Sequence, residues 1–233
     1  MPDQLTAAEP HGEERKLVLG IDTCGPMGSV ALARLGGDAV EVLGRRELEG
    51  RGYSATLVSA VGELLGEAGI RPAQLGAIVV TSGPGSFTGV RVGLSAVKGL
   101  AEPSGIPVVA VSRLEVLAHK VGVLSAALDA HRHEVFLRIA ERELLSGVGE
   151  LASFGAPDRI AVCDEAAEAF LRVVWPQTEV LQTAAPTAAD AMALALPRIV
   201  AGEFEDLALL DGHYLRRSDA EIFGYPAVAA RIA

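Results

Sequence analysis

The stretch Lys16-Leu17-Val18-Leu19-Gly20-Ile21-Asp22, the turn Cys24-Gly25-Pro26-Met27 and the apolar run Gly28 to Arg34 decide the fold. A continuous apolar run that stops at Asp22 reads as a buried strand, and the proline-containing turn sends the chain back as a second strand. Gly36-Gly37-Asp38 turns it again into a third, Ala39 to Leu48. Three strands joined by short turns make an antiparallel meander. The spacing then changes: Leu57, Ala60, Val61, Leu64 and Leu65 recur at helical intervals and place a helix over Ser54 to Ala68. Gly76 to Thr81 is another buried strand. A glycine-rich loop, a helix over Gly89 to Ala101 and a strand over Ile106 to Val111 complete a β-β-β-α-β-α-β order.

Beyond Ser112 the pattern predicts a helix over Arg113 to Lys120, strands over Leu124 to Asp129 and Glu134 to Ala140, and a short strand over Arg159 to Cys163. Helices follow near Glu165 to Val173 and Thr187 to Ala201. The order of the first half is similar to that of the actin, heat-shock-protein and sugar-kinase superfold, in which an antiparallel meander continues into a mixed sheet through right-handed crossovers. The expected architecture is therefore α/β and two-lobed, of the actin-like (ASKHA) kind. It comprises a flexible tail over 1–15, a first lobe over 16–111, and a shortened second lobe with a C-terminal tail over 112–233.

Composition narrows the function. Half of the 233 residues are hydrophobic but only 4% are aromatic, so aliphatic packing must fill both lobes. A net charge of −10 argues against a chain that grips nucleic-acid phosphates unaided, since that binding is driven by Lys and Arg displacing counterions. Any contact with RNA then needs a basic partner. Cys24 and Cys163 form no C-x-x-C pair and suggest no disulfide framework, which points to a reducing compartment, the cytoplasm. Met1 to Lys16 is polar, without a signal-peptide core, and no later stretch has the length of a membrane span.

The most distinctive string is Ser82-Gly-Pro-Gly-Ser-Phe-Thr-Gly-Val-Arg91. It misses the dinucleotide fingerprint because Gly83, Gly85 and Gly89 leave one residue too many, and it misses the Walker loop because Val90 follows Gly89. The nucleophile elbow G-x-S-x-G is also absent. Gly-Pro-Gly turns the chain off its strand, and Ser86 or Thr88 can cap the following helix. Gly89 and Gly93 then form G-x-x-x-G, a costly pattern in a soluble helix that calls for close packing. Together with the small and apolar residues of the Ser54 to Ala68 helix, this suggests a helical interface; covering their own sheet explains both helices equally well.

No catalytic constellation assembles. Asp22, Thr23 and Ser29 stand where kinases of the superfold hold metal and phosphate, but a turn-accepting role suits a strand-end Asp better. Asp129-Ala-His131-Arg-His133-Glu134 fails the H-E-x-x-H metal motif, because Leu137 stands four after His133, and reads as a polar hairpin turn. His11, His119 and His213 lack ligand-spaced neighbours. No metal site is expected.

Leu19-Gly-Ile-Asp22-Thr23 with Ser29-Val-Ala31, the loop Gly83 to Gly93, Gly105-Ile-Pro107 with Val111-Ser112, Asp129-Ala130 with Glu134-Val135, and Tyr214-Leu-Arg216 together resemble the TsaB family, over about Lys16 to Glu221. That resemblance implies a non-catalytic dimerisation subunit. Its partner would be TsaD, the metal-bearing transferase, and with the ATPase TsaE they modify the adenosine beside the anticodon of tRNAs reading A-starting codons. It further implies a homodimer when alone, tRNA reached only through the complex, no tightly bound cofactor in this chain, and ATP or ADP within the assembly. It places the partner interface on the two helices, at Leu57, Val58, Val61, Leu65, Gly89, Val90, Gly93, Leu94 and Val97, and leaves a nucleotide loop at Asp22, Thr23 and Ser29 as a weaker expectation. The related transferase carries a His-x-x-x-His metal pair on the first helix; here Tyr53-Ser-Ala-Thr-Leu-Val-Ser-Ala-Val-Gly has no histidine. The chain also departs from the family at Tyr53, where a His is common, and at His131, where an Arg is common. The competing readings are an autonomous small-molecule kinase of the same superfold, which would bind ATP tightly, and a metalloprotease, which would retain metal.

Overall fold

A computed structural model describes residues 16–36, 39–49 and 52–216. The expected N-terminal tail and the residues beyond 216 lie outside them. The meander forms as β1 (Lys16–Asp22), β2 (Met27–Gly36) and β3 (Ala39–Glu49), followed by α1 (Tyr53–Glu67), β4 (Ala77–Thr81), α2 (Phe87–Ala101) and β5 (Val108–Val111). These strands make one sheet in the order β3-β2-β1-β4-β5. β1 and β2 run antiparallel with Ile21 opposite Val30, and β1 and β4 run parallel with Gly20 opposite Val79.

After β5 the chain crosses through α3 (Arg113–Lys120) into a second half that contains β6 (Ala126–Asp129), β7 (Glu134–Ile139), β8 (Arg142–Gly147), β9 (Arg159–Val162), α4 (Glu165–Val174), β10 (Glu179–Gln182) and α5 (Ala188–Ala201). Its sheet has the order β10-β9-β6-β7-β8, with β6, β7 and β8 antiparallel and β6, β9 and β10 parallel. It therefore repeats the first sheet strand for strand. The abridgement is helical: a short 3-10 segment, Val148–Ser153, stands where α1 stands in the first half.

Strand alternation divides each sheet between two cores. Leu19, Ile21, Val30, Leu32, Ile78 and Val80 face α1 and α2. Val18, Ala31, Ala33, Ala77 and Val79 face the other way and meet Ala188, Ala191, Met192, Ala195 and Ile199 of α5. In the second sheet Val135, Leu137, Ile160 and Val162 pack on Leu171 of α4, whereas Leu128, Phe136 and Ala161 pack on Leu114 and Leu117 of α3. Each half thus lends a helix to the other: α3 follows the first sheet but covers the second, and α5 follows the second sheet but covers the first.

The G-x-x-x-G face of α2 is explained by this arrangement. A Cβ at Gly89 would overlap the carbonyl oxygen of Thr23, and one at Gly93 would overlap the Thr23 hydroxyl, which itself donates to the Gly89 carbonyl at 2.7 Å. The two glycines let α2 lie directly against the end of β1. Gly62 of α1, by contrast, has open space where a Cβ would stand.

Urea denaturation checks that difference. Gly89→Ala is expected to destabilise the chain by about 1–3 kcal/mol through overpacking, and Gly62→Ala to stabilise it by about 0.5–1 kcal/mol through helix propensity.

Candidate functional site

Three features could carry function: the outer surface of α1 and α2, the turn after β1, and the cleft between the sheets. On the two helices, Leu57, Val61, Leu65, Gly89, Val90, Gly93, Leu94 and Val97 are buried within this chain. They belong to or border the core beneath α1 and α2, so the expected interface needs correction there: those side chains are covered by the chain's own sheet and present nothing to a partner. Helical spacing identified the buried stripe correctly but could not say what buries it. Val58 alone of that set is exposed, at 66%. The exposed positions Ala55, Val58, Gly62 and Gly66 run along α1, and Ser95 and Gly99 along α2. The helices lie side by side on the first sheet, and these positions form a stripe of small side chains flanked by the exposed Glu63 and Glu67 of α1 and Arg91 of α2.

At the turn after β1, Asp22 is 1% exposed and its carboxylate accepts the Cys24 backbone N–H at 2.9 Å, the turn-acceptor role. Burial pushes its pKa up, against the lowering effect of the Arg113 charge and the Cys24 hydrogen bond. Thr23 is spent on Gly89, and the Ser29 hydroxyl accepts the first N–H of α5, from Ala188, at 2.8 Å. The suggested nucleotide loop is thus committed to holding β1, α2 and α5 together. Ser86 caps α2 as the sequence suggests, accepting from Gly89 at 3.2 Å. Cys24 is buried, Cys163 is partly buried, and neither is in a disulfide.

The cleft between the sheets measures about 1260 Å³ and is lined by the turn Cys24 to Met27, the glycine-rich loop, Arg113, the β6–β7 hairpin and Tyr214 to Arg216. The hairpin places His131, Arg132 and His133 consecutively at positive φ, with 59°, 56° and 60°. Three consecutive non-glycine residues in the left-handed region are uncommon. The turn is held by Asp129, which accepts the His131 backbone N–H at 2.8 Å and lies 2.8 Å from its imidazole. This is the polar hairpin expected from the sequence. Among the described residues, no three His, Cys, Asp or Glu side chains are grouped as a metal would require, and no helix is long and apolar enough to cross a membrane.

Beside the cleft lies a cluster that the sequence did not reveal. Glu143 on β8 accepts hydrogen bonds from the Ser112 hydroxyl at 2.7 Å, Arg138 at 2.8 Å and His213 at 2.8 Å. Burial pushes its pKa up, but the hydrogen bonds from His213, Ser112 and Arg138 outweigh it and hold the carboxyl below its ordinary 4.5. The cluster ties the first turn of α3, the β7–β8 hairpin and the C-terminal segment together. Its members lie far apart in the chain, and β8 has no clear alternation, so no local signal pointed to it.

Two mixed sheets of identical strand order, with a helix exchanged between them, define an actin-like two-lobed α/β protein. A family model described as "TsaD: tRNA N6-adenosine threonylcarbamoyltransferase" matches residues 47–198, and the chain belongs to that family. Within it the chain is similar to proteins named "tRNA threonylcarbamoyladenosine biosynthesis protein TsaB". The Bacillus subtilis protein is 42% identical over 37% of this chain and 39% of its own length. The Haemophilus influenzae protein is 34% identical over 57% of this chain and 58% of its own length. The chain therefore spans less than two thirds of these curated relatives. The solved structure of YeaZ from Pseudomonas aeruginosa superposes with a TM-score of 0.70 and 27% identity, covering 86% of this chain and 100% of that one.

Glu143→Gln should cost about 1–3 kcal/mol of stability at pH 7. The native carboxyl holds its proton less tightly than the unfolded one, so its contribution is full above the ordinary 4.5 and is lost as pH falls through the depressed native value. Thermal unfolding of both proteins from pH 7 downward should show the gap closing below that range.

Proposed function

We propose that this chain is the non-catalytic subunit that binds and activates TsaD for threonylcarbamoyl transfer to the adenosine beside the anticodon of tRNAs reading A-starting codons. The observation that carries the reading is the similarity to TsaB-named relatives, combined with an exposed stripe of small residues along α1 and α2. A stripe of small side chains lets a second helical pair approach closely with little entropy lost on ordering it. Val58 supplies an exposed apolar anchor on that surface.

In this reading the chain catalyses nothing alone. It homodimerises when isolated and exchanges that contact for TsaD, and TsaE joins the assembly. ATP or ADP acts within the complex and is not held tightly by this chain. The net charge of −10 supports contact with tRNA through the complex rather than directly. Partners of this kind place the chain in the cytoplasm.

The burial of Gly93 and Val97 removes them as test positions, since a charge there would break the core. Val58→Arg and Gly62→Arg instead alter the outer surface. Each is expected to leave the monomer folded, to abolish co-elution with TsaD and to lower tRNA modification in a mixture with TsaD and TsaE at least tenfold. Equal modification with and without this chain would overturn the reading.

A further inference from the structure

Arg113, the first residue of α3, is 7% exposed and lies against the cleft. Its backbone N–H donates to the Gly83 carbonyl at 2.7 Å, which fixes the residue where the chain crosses from the first sheet to the second. Its side chain is differently placed. Nε is buried with no hydrogen-bond partner, and among the described residues the guanidinium makes no ion pair. A buried cation without a bonded anion is unfavourable unless something supplies the opposite charge.

The neighbouring acids do not supply it by direct contact. Asp22 is buried nearby, but its carboxylate is turned to the Cys24 N–H. Asp129 is bonded to His131, and Asp164 caps α4 through the Ala167 N–H while accepting the Asp129 N–H. Arg216, another arginine on the cleft wall, bonds to Glu134 and the Ala130 carbonyl. The cleft's acids in the second sheet are thus committed, whereas Arg113 is not.

The cleft is also shaped for the guanidinium. A Cβ at Gly25 would stand 2.5 Å from Arg113 Nη2 and 3.0 Å from the Met27 carbonyl oxygen, so a larger residue there would displace the guanidinium from its present place. The Gly25 carbonyl is in turn held by the Tyr53 hydroxyl, which donates to it at 2.7 Å. At about 1260 Å³ the space in front holds a small molecule.

We propose that Arg113 anchors an oxyanion site in this cleft, taking the carboxylate or phosphate group of a ligand that enters between the two sheets. Its planar fork matches either oxyanion with paired N–H donors. The site lies apart from the outer surface of α1 and α2, so it goes beyond the proposed docking function and stands or falls separately from it.

The test uses the whole chain with nitrogen-15-labelled arginine. The Nε–H resonance of Arg113, identified by its loss in Arg113→Gln, is followed during titration with inorganic phosphate and, separately, with acetate, ionic strength being held constant with chloride. A saturable shift with phosphate assigns a phosphate site, and one with acetate alone assigns a carboxylate site. The effective anion should also raise the thermal midpoint of the wild-type chain. In Arg113→Gln its apparent affinity should be weaker by about tenfold or more. No saturable shift with either anion, or equal protection of the variant, would overturn the proposal. Homodimerisation measured on the same samples should be unchanged by the substitution.

Discussion

The exchange of helices between the two sheets is the constraint on which the molecule depends. Neither sheet can bury both faces with helices from its own half. The first needs α5, whose Ala188, Ala191, Met192, Ala195 and Ile199 cover Val18, Ala31 and Val79, and the second needs α3. Because both exchanged helices are fully used as cover, the halves cannot separate without exposing apolar surface on each side. The crossing also places the first turn of α3 against the turn after β1, which sets Arg113 beside Gly25 and leaves an open cleft between the sheets.

The same constraint gives the two surfaces different characters. The outer face of α1 and α2 is exposed among the described residues because these helices serve only the first sheet, and a stripe of small residues runs along it. The cleft is largely apolar, and the charged groups on its wall mostly bond to one another. A docking role therefore fits the helices, and a ligand role fits the cleft. The turn at Asp22, Thr23 and Ser29, which the superfold would give to a nucleotide, here binds β1 to α2 and α5.

Much of this was legible in the sequence, for physical reasons that differ by element. The buried strands β1 and β4 stood out as apolar runs, and α3 was bounded correctly by Ser112 and the turn after Lys120. β8 and β10 were missed because both are edge strands with partial burial on both faces, so neither alternates cleanly. The residues expected at the interface are the covered face of the two helices. Periodicity marks the face that is covered, and Gly89 and Gly93 are small for the sake of Thr23 rather than a second chain. Arg113 gave no signal at all, since an arginine in the first turn of a helix is unremarkable until its guanidinium is found buried. The cluster around Glu143 was equally silent, being assembled from three separate segments.

The central claim is that this chain meets TsaD through the outward surface of α1 and α2. Hydrogen–deuterium exchange of the chain, alone at a concentration where it is monomeric and again with excess TsaD, tests it most directly. The account predicts new protection concentrated in residues 53–67 and 87–101, with the hairpin at 129–134 unchanged. Protection confined to that hairpin and the cleft, with the two helices exchanging as before, would contradict it.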